Sequence, residues 1–336
     1  MRDDPAMTDH SIVVHDLTKI FGKFSAVDHV TFDVRRGEIF GFLGANGAGK
    51  STTIRMLCGL LCPTSGAATV GGFDVGREPD RVKERIGYMS QKFSLYEDLT
   101  VDENISFFGG VYGLSRDRIR EKMPWVLEMA GLRGREGSLT RELSAGWKQR
   151  LALGCAILHE PEIVFLDEPT GGVDPLSRRN FWELINRLSG RGVTIFVTTH
   201  YLDEAEYCNE IRLIHAGRLV AGGSPGEMKR TYIRNPILEV ECDRVVDAMA
   251  IIQKEEGVLG TSIFGTYLHV GVGDETEGKA MIRRLLEANG IAVMRLTRIV
   301  PSLEDVFIQR IEEESAGKDM TLNSPSGSKG TSRGTT

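Results

Sequence analysis

The stretch Gly44-Ala45-Asn46-Gly47-Ala48-Gly49-Lys50-Ser51-Thr52 fits the pattern G-x-x-x-x-G-K-[ST] without a mismatch. Upstream, Glu38-Ile39-Phe40-Gly41-Phe42-Leu43 reads as a buried strand. Downstream, Ser51 to Leu57 places apolar residues at helical spacing, so the loop sits between a strand and a helix. That context reads as a phosphate cradle. Residues without side chains let backbone N–H groups approach phosphate oxygens closely, and the following helix aims its positive N-terminal end at the same charge. Candidate contacts are therefore Gly44, Asn46, Gly47, Gly49, Lys50, Ser51 and Thr52, with Lys50 reaching the outer phosphates and the Ser51 hydroxyl able to ligate Mg²⁺.

Working outward, Ile163-Val164-Phe165-Leu166-Asp167-Glu168 is a continuous apolar run ended by two carboxylates, as in a central parallel strand that opens on a ligand crevice. At a strand end Asp167 can face a metal while Glu168 reaches forward to a water. A second buried strand, Val193 to Thr198, ends at His200 on the same sheet, which makes His200 a candidate phosphate contact; the other histidines lack that placement. Arg85 to Gln91 reads as a strand ending in Gln91 at a sheet edge. Leu143-Ser144-Ala145-Gly146-Trp147-Lys148-Gln149-Arg150 starts a helix with Ser144 as N-cap, and Asp174-Pro175 starts another through Leu188.

Ahead of the cradle, Ser11 to Leu17 and the alternating Val30 to Val34 read as an antiparallel edge. Phe21 lies between them, placed either to stack on a purine ring or to pack at a strand end. Residues 93 to 158 look like a mostly helical insertion, with a capping box at Thr100-Val101-Asp102-Glu103 and an aromatic stripe through Phe107, Phe108 and Tyr112 that fits either a core or a docking surface. Beyond Asn235-Pro236 the pattern becomes β-α-β-β-α-β, a ferredoxin-like order, and a helix capped at Ser302 closes it. Residues 1–10 are polar, and 313–336 are rich in Ser, Gly and Thr, which predicts a disordered tail.

The chain has 336 residues, 41% hydrophobic and 26% charged, enough for two domains with real cores. A net charge of −6 gives no electrostatic footprint for a general nucleic-acid binder. Five cysteines without a C-x-x-C pair argue against a disulfide framework or a zinc site, and fit a reducing cytoplasm. Nowhere do 18 uninterrupted apolar residues occur, so the chain is expected neither to span a membrane nor to enter a secretory route by itself.

Taken in order, Phe21, Gly44 to Thr52, Gln91, Leu143 to Arg150, Asp167-Glu168, Asp174 and His200 resemble the motif set of the ATP-binding cassette ATPases, across residues 11 to 230. The resemblance implies an α/β fold, a P-loop NTPase cassette over 11–235 with an antiparallel β edge and a helical subdomain at about 93–158. A small α+β ferredoxin-like domain follows over 236–312. It further implies that Phe21 stacks on adenine, that Ser51, Gln91 and Asp167 arrange Mg²⁺, that Glu168 polarises the attacking water, and that His200 holds the γ-phosphate. In that family two cassettes face head to tail, so Ser144 and Gly146 of one copy would meet ATP bound by the other. Two positions depart from the usual signature, Ala145 and Trp147, and Gly171-Gly172-Val173 before Asp174 is also a variant.

Trp147 to Leu153, the small C-terminal domain and Pro301-Ser302-Leu303-Glu304-Asp305-Val306-Phe307 resemble the ATPase subunits of bacterial drug and antibiotic exporters. On that resemblance the partners are a second copy and a separately encoded permease, at the cytoplasmic face of the membrane, with permease helices fitting a groove between Gln91 and Tyr112. An exporter of lipid or polysaccharide is the alternative; a soluble cassette of translation or DNA repair fits less well, and intact Lys50, Glu168 and His200 disfavour a solely regulatory one.

Overall fold

The computed structural model describes residues 9–91 and 95–311; the polar start up to residue 8 and the tail expected over 313–336 lie outside the described residues. The chain divides into two units, Met1–Met228 and Lys229–Thr336. That division falls inside a helix, Pro225–Tyr232, ahead of the boundary at 235. Asn235-Pro236 lies in the connection between that helix and the strand Ile237–Cys242.

The first unit begins with β1 (His10–Phe21), β2 (Phe24–Arg35), β3 (Ile39–Leu43) and α1 (Lys50–Leu57). It continues with β4 (Ser65–Val70), β5 (Phe73–Asp74), α2 (Pro79–Arg85) and β6 (Ile86–Met89). The helical part is α3 (Val101–Val111), α4 (Arg116–Ala130) and α5 (Ala145–Ile157). Then come β7 (Ile163–Asp167), α6 (Pro175–Ser189), β8 (Thr194–Thr199), β9 (Glu210–His215), β10 (Arg218–Gly223) and α7 (Pro225–Tyr232).

Every residue of β3, β7 and β8 is buried, which is why these strands read as unbroken apolar runs rather than alternating ones. They form the centre of a sheet ordered β10-β9-β3-β8-β7-β6. Parallel register sets Leu43 beside Thr199 and Asp167 beside Thr198. The loop after β3, the carboxylates after β7 and the histidine after β8 therefore emerge at one edge, where α/β sheets take their ligands. β6 ends at Met89, so Gln91 lies in the following bend rather than at the strand end.

A second sheet, ordered β2-β1-β4-β5, is antiparallel. Phe32 on β2 binds it to the first: its ring stacks 5.3 Å from Phe40 and lies 6.0 Å from Phe196, while Phe165 lies 5.4 Å from Phe196. Each such buried ring contributes about 1.5–3 kcal/mol over leaving it in water. This aromatic core underpins the strand from which the cradle departs.

The helices α3, α4 and α5 share a core of their own that includes Val101, Ile105, Val126 and Leu151. Thr100 and Glu103 form the capping box that starts α3. The aromatic stripe of α3 divides: Phe108 packs against that core, while Phe107 (42% exposed) and Val111 (63%) face outward. Phe107 meets the exposed Tyr96 edge-on at 4.7 Å.

The second unit runs β11 (Ile237–Cys242), α8 (Val245–Ile252), β12 (Val258–Phe264), β13 (Tyr267–Val272), α9 (Glu275–Ala288) and β14 (Val293–Ile299). Its antiparallel sheet is ordered β12-β13-β11-β14, the ferredoxin-like arrangement. Leu238, Val240 and Val270 meet Ile282 and Leu286 in its core. A closing helix over residues 303–311 is tied to the sheet by Asp305, whose Oδ1 lies 2.8 Å from His269 Nδ1. Burial pushes the Asp305 carboxyl up, but hydrogen bonds from His269 and Ser302 outweigh it and leave the carboxyl below its ordinary range.

Candidate functional site

Glu168 is the point on which the site converges. Its backbone sits at φ 47, pinned by its own N–H, which donates to the Thr198 carbonyl (3.1 Å) and hydroxyl (3.0 Å). That left-handed turn directs a 7% exposed carboxylate back toward the cradle. Oε1 lies 3.0 Å from Lys50 Nζ; Oε2 accepts from Gln91 Nε2 at 3.0 Å and lies 3.2 Å from His200 Nδ1. Lys50, buried with it, also donates to the Gly44 carbonyl at 2.7 Å and the Ala45 carbonyl at 3.1 Å.

Asp167, the last residue of β7, meets the cradle at the next residue, Ser51. Its Oδ1 accepts from the Ser51 hydroxyl at 3.1 Å and the Thr198 hydroxyl at 2.7 Å. A carboxylate, an aliphatic hydroxyl and, across Glu168, the Gln91 amide are hard oxygen-bearing groups of the kind Mg²⁺ takes. Among the described residues no three His, Cys, Asp or Glu side chains form a metal cage, so a magnesium ion held here would depend on phosphate oxygens and water for the rest of its shell.

A cavity of about 400 Å³ lies over the cradle, lined by Asn46, Gly47, Gly49, Lys50, Ser51, Thr52, Gln91, Glu168, Phe21, Phe24 and Ala26. Phe21, the last residue of β1, is 48% exposed and borders the cavity. Phe24, 62% exposed, pairs with it across the turn of the β1–β2 hairpin. Phe24 went unnoticed in the sequence, although an aromatic on either side of Gly22-Lys23 was the available signal.

The glycines of the cradle serve packing as well as phosphate access. A Cβ on Gly44 would stand 2.3 Å from the Ile214 carbonyl, and one on Gly49, at φ 112, 2.4 Å from the Ala26 carbonyl. The loop is therefore pressed onto β9 and β2, and cannot take a side chain at either position without moving backbone.

Ser144, Gly146 and Asp174 are not among the residues that line this cavity. Ser144 is the exposed N-cap of α5, and Asp174 caps α6 by accepting from the Ser177 amide at 3.0 Å. Hydrogen bonds from the Ser177 side chain and amide hold the Asp174 carboxyl below its ordinary range. Gly146 is buried, and a Cβ there would meet Ser177 Oγ at 2.6 Å, so it keeps α5 close to α6. Trp147 packs against the helical core with the Arg135 guanidinium 4.0 Å over its ring, so the departure at that position is absorbed within the helical part.

Sequence reading also missed Thr198, which holds both Asp167 and the Glu168 amide; the available sign was a pair of threonines, Thr198-Thr199, closing a strand just ahead of His200. It missed Gln149 as well, fully buried on α5, whose Nε2 donates to the Pro169 carbonyl at 2.7 Å.

Residues 27–171 match the ABC transporter family, and residues 223–311 match the C-terminal domain of ATP-binding protein DrrA1-3-like proteins. The chain is 55% identical over 218 residues to the probable multidrug ABC transporter ATP-binding protein YbhF of Escherichia coli (strain K12). That match covers 65% of this chain and 38% of the relative, so the chain spans well under half the length of that protein. The linearmycin resistance ATP-binding protein LnrL of Bacillus subtilis (strain 168) is 34% identical over 297 residues, covering 87% of this chain and 96% of LnrL. Among solved structures, the dimeric post-hydrolysis state of the ATP-binding cassette MJ0796 bound to ADP and Pi superposes with a TM-score of 0.58 at 25% identity, covering 63% of this chain and 98% of that one.

Proposed function

The chain belongs to the ABC transporter family of ATP-binding proteins, and on that premise we propose that it binds and hydrolyses ATP as the motor of an exporter of drug or antibiotic type whose permease is a separate chain. The observation that carries the ATPase part is the convergence of Lys50, Gln91 and His200 on the Glu168 carboxylate at 3.0–3.2 Å. The exporter part is supported by the C-terminal match at 223–311 and by relatives named for multidrug transport and linearmycin resistance.

In this reading adenine stacks on Phe21, with Phe24 beside it, and the amides of the cradle with Lys50 hold the phosphates. Ser51, Gln91 and Asp167 are the residues that would hold Mg²⁺, whose charge would offset that of the phosphates. Phosphoryl transfer asks mainly for positioning and charge neutralisation. Glu168 accepts the proton of the attacking water, and His200 keeps that water and the terminal phosphate in register. Because Lys50 and Glu168 pair with each other, phosphate oxygens compete for Lys50, and Glu168 gains the freedom to turn to water as they win.

Ser144 and Asp174 stand at helix starts outside their own chain's cavity, and a facing second copy would bring α5 against the bound nucleotide. Gly146 would act there by keeping α5 seated on α6. A helix N-terminus arriving this way stabilises phosphate charge only when the pair is closed. Outward-facing Tyr96, Phe107 and Val111, beside a groove lined by Tyr88, Leu95, Phe108 and Tyr112, offer an apolar seat for cytoplasmic helices of the permease. Among the described residues no helix is long and apolar enough to cross a membrane, and the chain would be held at the cytoplasmic face by that seat.

The purified chain is expected to hydrolyse ATP only with Mg²⁺ present, with turnover per chain rising as its concentration is raised. Absence of hydrolysis at every concentration contradicts the ATPase assignment; a rate per chain independent of concentration contradicts the paired site.

A further inference from the structure

Glu204 is fully buried, follows His200 by four residues, and has no part in the chemistry above. Its Oε1 accepts from the Thr170 hydroxyl at 2.5 Å and lies 3.4 Å from Arg178 Nε. Thr170, 1% exposed, stands two residues after Glu168 in a turn closed by the Gly171 amide on the Glu168 carbonyl at 3.2 Å. Arg178 belongs to α6, the helix that Asp174 caps, and its guanidinium sits 4.2 Å over the Tyr201 ring. That ring in turn lies 4.1 Å from the His200 ring. On the far side of the same turn, Gln149 of α5 holds the Pro169 carbonyl.

One buried carboxylate thus joins the segment bearing Glu168, the segment bearing His200 and the helix begun by Asp174. Burial raises the Glu204 carboxyl, opposed by the Thr170 and Thr199 hydroxyls and by Arg178. A buried ionic group is weak evidence for stability, since an apolar side chain of the same volume would commonly serve the core as well.

We propose that Glu204, with Thr170 and Arg178, is a positioning unit that fixes the separation of Glu168 and His200, so that turnover depends on it although none of the three touches the nucleotide. This rests on the ATPase reading of the site. Misplacing reacting groups by about an ångström costs on the order of 10²-fold in rate, while nucleotide binding, carried by the cradle, is left intact.

The test compares Mg-ATP turnover, KM, fluorescent-ADP affinity and melting temperature in Thr170→Val, Thr170→Ser, Glu204→Ala and the Thr170→Val/Glu204→Ala double variant. Thr170→Val and Glu204→Ala are expected to lower kcat by about 10- to 100-fold with KM and ADP affinity nearly unchanged. Thr170→Ser, which keeps the hydroxyl, should turn over as the wild type does, and the double variant should be no slower than the slower single one. Wild-type kcat in Thr170→Val overturns the proposal, and so does a kcat loss shared by Thr170→Ser or matched by losses of ADP affinity and melting temperature. Should Glu204→Ala fail to fold, the Thr170 pair decides alone. A wild-type chain without any turnover overturns the ATPase reading itself, whereas wild-type turnover with an unaffected Thr170→Val overturns only this inference.

Discussion

Glu168→Gln is expected to bind ATP at least as tightly as the wild type and to lose between about 10² and 10⁴ in turnover. The carboxylate is the group placed to accept a proton: Lys50, Gln91 and His200 surround it, and Thr198 fixes its backbone from below. Glutamine preserves the size and one carbonyl oxygen but is no base at neutral pH, so the cradle keeps its contacts while the water is no longer activated. Steady-state hydrolysis and equilibrium binding of a fluorescent ATP analogue separate the two effects. Turnover near the wild-type rate would remove Glu168 from the chemistry; loss of binding in step with turnover would make it a structural residue.

Lys50→Ala is expected to fail on two counts. Its ammonium group would no longer reach the phosphates, so ATP affinity should fall. Its removal also leaves the Glu168 carboxylate buried without its ammonium partner, and breaking one side of a buried pair typically costs about 3–5 kcal/mol. Gln91 and the Thr198-held backbone still support Glu168, so the lower end, about 3 kcal/mol, is expected in denaturant unfolding. The double variant Lys50→Ala/Glu168→Gln removes the stranded charge and should recover most of that stability while recovering none of the affinity. A double variant no more stable than Lys50→Ala would show that the pair is not the source of the loss.

Much of this site is legible in the sequence because its parts are local. The cradle, the Asp167-Glu168 strand end and His200 each follow from a few consecutive residues, and the rule that parallel strands present their carboxyl ends together places them at one edge. What sequence could not give is which side chains meet. Nothing near Glu204 in the chain points to Thr170, 34 positions away, and the pairing exists only because β7 and β8 are neighbours. The reason for Gly44 and Gly49 was likewise only half visible: phosphate access is written in the motif, but the pressure of the Ile214 and Ala26 carbonyls comes from β9 and β2. Gln91 was expected to end its strand, yet β6 stops at Met89, because a short edge strand gives little periodicity from which to read its end. Phe21 has two readings on spacing, and its exposure and its place at the cavity come only from the fold.

The second unit followed its pattern for the same local reason. Alternating strands and two helical periods suffice to write β-α-β-β-α-β, and the sheet order β12-β13-β11-β14 then brings Leu238 and Val270 beneath α8 and α9. The contact between His269 and Asp305, which ties the closing helix to that sheet, spans 36 positions and had no sequence signal.

The central claim, that this chain is the motor of a separate membrane exporter, is tested most directly by isolating it with a tag from the membranes of its own cell in mild detergent and measuring ATP turnover of what is recovered. The account predicts that one multi-span protein is recovered in about equal amount and that turnover per chain exceeds that of the chain alone. Recovery only in the soluble fraction, bound to ribosomes or DNA and with no membrane protein, would contradict it.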